Sequence, residues 1–147
     1  MAEADPIARK DWISTLAKAE PAELARLIAE LPVHDILRPA EVGAVMVRGR
    51  IGGTGAPFNL GEMSVTRCSV RLQDGTVGHA WVQGRDKNHA RRAAVVDALM
   101  QTDAAPHIRT RVITPLVERA RRNHAARAEK AAATKVEFFT MVRGEDQ

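Results

Sequence analysis

At 147 residues the chain has material for one hydrophobic core and too little for two, and a single cysteine, Cys68, excludes an internal disulfide. Hydrophobic residues make up 45% but aromatics only 3%, with no tyrosine, so Leu, Ile, Val, Ala and Met must build the core around Trp12, Trp81, Phe58, Phe138 and Phe139. A formal charge of +4 suits phosphate-bearing ligands, nucleic acid or an acidic protein partner and chooses none of them. With no stretch resembling a secretory leader and no apolar run near the length of a membrane span, a single soluble, cytoplasmic domain over residues 1–147 is expected.

Trp12, Leu16 and Ala19, with Ile13 beside them, predict a helix over Arg9–Ala19. Pro21 opens a second helix, where a missing N–H costs nothing, and Leu24, Leu27, Ile28 and Leu31 give it an i, i+3, i+4, i+7 face before Pro32 stops it. Two short helices in series raise the possibility of a helix-turn-helix, but the segment that should hold a recognition helix, VHDILRPAEVG, contains Pro39 and has weak helical periodicity. From residue 43 the period becomes two. Val45, Val47, Gly49 and Ile51 face one way, and Met46, Arg48 and Arg50 the other: a strand near 43–51. Further strands are predicted near 62–72 and 76–83, with Asp74-Gly75 between them as a hairpin signal. A two-residue loop there sets Leu72 opposite Val77, Val70 opposite His79 and Cys68 opposite Trp81 on the core face. Arg71, Ser69 and Arg67 then lie over Gly78, Ala80 and Val82 on the other face. Asp86 is placed as N-cap of an alanine-rich helix over 86–101. HIRTRVITPL, with its β-branched residues, reads as another strand, and residues 116–135 as a basic helix. Between His107 and Lys135 there are six Arg and two Lys against two Glu. VEFFTMVRG predicts a last strand over 136–142, apolar on both faces. The fold class expected is α+β, mainly an antiparallel sheet.

Gly52, Gly53, Thr54 and Gly55 read either as a tight turn leaving a strand or as backbone N–H groups turned towards an anion. No lysine follows in P-loop position. Arg85 and Lys87 flank a helix start suited to an anion, although Asp86 competes for the same N–H groups as a cap. Cys68, His79 and His89 lack the spacing of a metal set and read as a buried thiol and hydrogen-bonded imidazoles. The remaining candidates for a phosphate or an interface are Arg67 and Arg71, beside small residues. No catalytic, cofactor-binding or metal-ligating residue is singled out. The residues alone favour a binding or accessory subunit, with a basic nucleic-acid-binding regulator as the alternative.

RKDWISTLAKAEPAEL, then RPAEVGAVMVRGRIGGTGAPFNLGEMSVTRCSVRLQDGTVGHAWVQGRDKNHARRAAVVDALMQ, and finally FFTMVRG, in that order, resemble the PhnG family, the G subunit of the bacterial carbon–phosphorus lyase core complex. The resemblance implies an accessory role in phosphonate degradation, with H, I and J subunits in two copies each and ATP-binding-cassette-type K and L subunits as partners. With H, I and L, such a subunit supports transfer of a phosphonate to the ribose C1 of MgATP with release of adenine. The bond-making residues would lie in the partners. MgATP enters as a substrate of the assembly and not as a cofactor of this chain.

Overall fold

The structure is a computed structural model that describes residues 6–136; the strand expected over 136–142 therefore lies outside the described residues but for Val136. Helices α1 (Pro6–Lys18) and α2 (Pro21–Leu27) come first. Three antiparallel strands follow, β1 (His34–Arg50), β2 (Pro57–Leu72) and β3 (Val77–Gln83), in spatial order β1-β2-β3. Then come α3 (Lys87–Leu99), a short α4 (Ala105–Ile108), a π-helical turn (Arg109–Ile113) and α5 (Thr114–Ala133). The α+β class holds, with different bounds. α2 ends at Leu27, because Ile28 leaves helical geometry. β1 begins nine residues before the expected 43, and β2 five before the expected 62.

Pro39 falls inside β1 without ending it. β1 is an edge strand, where a missing N–H breaks no ladder, and its pairing with β2 is irregular between Ile36 and Glu41. Residues that a helix-turn-helix would use for recognition thus form a strand, which removes that reading. The strand expected in HIRTRVITPL is also absent: Ile108, Val112, Ile113 and Leu116 are all buried, on one side of a continuous helical run whose π turn takes up the uneven spacing. β-Branched composition gave way here to tertiary packing.

The core lies between the sheet and α3, which packs on β2 and β3, with α1 and α2 against α3. Alanine permits the close fit. Ala90, Ala93, Ala94 and Ala98 are buried, and a Cβ added at Gly78 would collide with the Ala94 carbonyl oxygen and stand 2.6 Å from the Ala98 nitrogen. Asp86 caps α3 as expected, accepting from the His89 N–H at 3.0 Å. Asp97, fully buried on α3, ties three elements together. It accepts from Arg9 at 2.7 and 3.1 Å, from Trp12 Nε1 at 2.9 Å and from the backbone N–H of His79 on the sheet edge at 2.8 Å.

Candidate functional site

The β2–β3 turn decides which side chains meet. Gly75 N–H donates to the Leu72 carbonyl, and Leu72 N–H to that of Thr76, so Gln73, Asp74 and Gly75 form a three-residue loop with Gly75 at φ 90°. That is the type I turn followed by a left-handed glycine. Asp74 accepts from Thr76 N–H, which holds its carboxyl below the usual range. The extra residue overturns the expected register: Arg71 pairs with Val77, Ser69 with His79 and Arg67 with Trp81, while Cys68 faces Ala80 and Val70 faces Gly78. A one-residue shift turns a whole strand over. β2 keeps its predicted faces; β3 has them exchanged.

The consequence is a polar and aromatic sheet face with no helix among the described residues packed against it. Arg67 stands 5.8 Å over the Trp81 ring and donates to Glu41 of β1 at 2.9 Å. Trp81 is 51% exposed. Ser69 Oγ and His79 Nδ1 are 2.8 Å apart, and Arg71 reaches Asp35 at 3.0 Å. Each guanidinium already has a carboxylate partner, in exposed pairs worth about 0–1 kcal/mol. Beside Arg67 and Trp81, residues 41–44 and Val65 enclose a hollow of about 190 Å³.

The candidates named from sequence do not converge. Gly52 and Gly53 adopt positive φ at the far tip of the β1–β2 hairpin, where the N–H groups of Thr54 and Gly55 both donate to the Ile51 carbonyl. Arg50 donates to the Gly55 carbonyl at 3.1 Å. The tip is thus a closed turn held by its own hydrogen bonds. From Pro57 beside it to Arg67 is ten strand positions, about 30 Å at a rise of ~3.3 Å per residue. Arg85 follows β3, exposed, beyond Gly84, whose N–H donates to Ser64. Arg67 and Arg71 share a face; the glycine turn and Arg85 stand apart from them. His79 and Trp81 are the residues that sequence reasoning left off this face. The signal available was Gly78 and Ala80, the only side chains on β3 small enough to meet an alanine-rich helix.

Cys68 and His89 lie away from this face. Burial pushes the Cys68 thiol up, and its Sγ is 3.4 Å from the Arg38 carbonyl. His89 Nε2 donates to the Leu16 carbonyl at 2.9 Å, and burial lowers its pKa. Among the described residues no three His, Cys, Asp or Glu side chains gather as a metal site, and no helix is long and apolar enough to cross a membrane.

The alpha-D-ribose 1-methylphosphonate 5-triphosphate synthase subunit PhnG of Rhizobium meliloti (strain 1021) is 45% identical over 141 residues, covering 94% of this chain and 90% of the relative. The family model described as phosphonate metabolism protein PhnG matches residues 7–144. The chain belongs to the PhnG family of phosphonate metabolism proteins.

Proposed function

We propose that this chain is a required, non-catalytic subunit of an alpha-D-ribose 1-methylphosphonate 5-triphosphate synthase in the cytoplasm. In that assembly it acts with H, I and L subunits while a phosphonate oxygen attacks ribose C1 of MgATP and adenine departs. It sits in a core with H, I and J in two copies each, to which the ATP-binding-cassette-type K and L subunits attach. MgATP is the substrate of the whole, and this chain carries no cofactor of its own.

One observation carries the reading beyond family membership. On the open sheet face Arg67, Arg71, Ser69 and His79 all hold partners within the chain, next to a half-exposed indole. A phosphate group arriving there would have to displace two carboxylates. A protein surface would meet matched charges around an aromatic anchor, the composition of interface hot spots. Arg67 and Arg71 therefore serve assembly rather than substrate contact. Under the competing reading, the same arginines, with Gly52, Gly53, Thr54, Gly55 and Arg85, touch the phosphates at a subunit junction.

Arg67→Ala and Arg71→Ala separate the two. Loss of co-purification with the other subunits is the expected outcome. An intact complex with depressed turnover would assign the arginines to phosphate contact instead. The subunit reading itself is tested by ³¹P NMR of MgATP and methylphosphonate. The isolated chain should leave both unchanged, and turnover by the highly purified chain alone would reject it.

A further inference from the structure

We infer that the groove between α1 and the start of α5 is a binding site for a phosphate-bearing small molecule. The inference goes beyond the subunit reading and does not rest on it. α5 packs against α1 near its start: Leu116 is buried and Val117 half-buried, while the residues from Ala120 to Ala133 are exposed. Val117, Ala120, Arg121 and His124 follow the i, i+3, i+4, i+7 spacing of one helix face. Ser14 and Lys18, four residues apart, share the facing side of α1. Together these residues line a groove of about 370 Å³, within the ~300–1,000 Å³ typical of small-molecule sites. Ala19, Leu116, Val117 and Ala120 make much of that lining apolar.

The charges here are unmatched, unlike those of the open sheet face. Glu20, the one carboxylate in the lining among the described residues, already accepts from Arg119 at 2.7 Å. Glu23 beside it is taken by Arg119 and Arg26. Among the described residues Lys18 and Arg121 form no ion pair, and Ser14, Asn123 and His124 form no side-chain hydrogen bond. Two cations thus flank the groove, one from each helix, with hydroxyl, amide and imidazole groups beside them and no anion to answer them. A phosphate monoester carries about −1.5 to −2 charge at pH 7 and three strong acceptor oxygens. It can therefore accept from Lys18 on one helix and from the Arg121 fork on the other at once. A carboxylate, with a single charge and two coplanar oxygens, answers one side. The apolar lining suits the organic part of an ester. A nucleic acid would instead track the basic length of α5 through Arg122, Arg127 and Lys130, which lie outside the groove.

The test is a ¹H–¹⁵N NMR titration of the full chain with phenyl phosphate, with inorganic phosphate and benzoate as controls. Phenyl phosphate should bind saturably and shift amide resonances within 14–20 and 116–124. It should bind ~5-fold or more tightly than inorganic phosphate, which has no ring to bury, and more tightly than benzoate, which has the ring but a single charge. Lys18→Ala and Arg121→Ala should each weaken it about tenfold, the loss of one charge-assisted hydrogen bond. Arg127→Ala, farther along α5 and outside the groove, should leave it unchanged. All three residues are exposed, so the variants should fold as wild type. Shifts that never saturate, or phenyl phosphate no tighter than either control, overturn the assignment. So does equal weakening by Arg127→Ala, which would put the binding in the general field of α5, where a nucleic acid would also be held. Because no other subunit is present in the tube, the result stands whether or not the chain assembles with partners.

Discussion

Replacing Asp97 by alanine should cost about 3–5 kcal/mol of folding stability. The carboxylate is fully buried and receives three kinds of donor from two elements: the Arg9 guanidinium and, one turn on, the Trp12 indole N–H of α1, and the His79 N–H of β3. Alanine leaves the indole and the backbone N–H without an acceptor in a dry site, at ~1–3 kcal/mol each. Arg9 adds less, since its side chain is 30% exposed and can turn to solvent. The sum agrees with the ~3–5 kcal/mol seen when a buried ion pair loses one member. For a domain of this size that is a fall in Tm of roughly 10–15 °C, read by circular dichroism. Trp12→Phe, which keeps the ring and removes only one donor, should cost about 1 kcal/mol. A Tm for Asp97→Ala within about 3 °C of wild type would refute the reasoning, and with it the view that Asp97 clamps α1 and the sheet edge to α3.

Stability should also fall in acid through His89. Its folded pKa lies below the ordinary 6.5 because of burial, so the unfolded state takes up its proton first. The contribution is complete above about pH 6.5 and is lost as pH drops below it. Urea midpoints at pH 7.5 and 5.5 should differ for wild type and differ less for His89→Leu; equal pH sensitivity would exclude His89 as the source. Gly78→Ala should destabilise by the upper end of the ~1–3 kcal/mol typical of overpacking, since the new methyl meets α3 backbone and not a movable side chain. A neutral outcome in urea unfolding would mean that α3 lies farther from β3. Cys68, buried and with its thiol pushed up, should resist alkylation in the native protein and react once unfolded in urea. Rapid native labelling would contradict that placement.

Period-two alternation and the Asp74-Gly75 pair made the sheet readable, because both rest on local geometry. Three features were not readable for the same reason. The β2–β3 register hung on whether the loop held two residues or three, and both lengths suit Asp-Gly. Only the depth at which α3 packs on Gly78 selects the longer one. HIRTRVITPL carries a strand's composition, yet burial of Ile108, Val112, Ile113 and Leu116 makes it helical. Asp97 gave no local sign at all, since its partners lie as far as 88 positions away. The candidate face was accordingly half legible. Arg67 and Arg71 were placed correctly on β2; Ser69 was too, but its partner His79 and the neighbouring Trp81 were assigned to the core.

The central claim, that this chain enables chemistry performed by its partners, is tested most directly by adenine release from MgATP and methylphosphonate in a mixture of the other purified subunits. Release should be absent without this chain, rise as it is added, and saturate once it matches the partners in amount. An unchanged rate without it, or release by the chain by itself, would contradict the account.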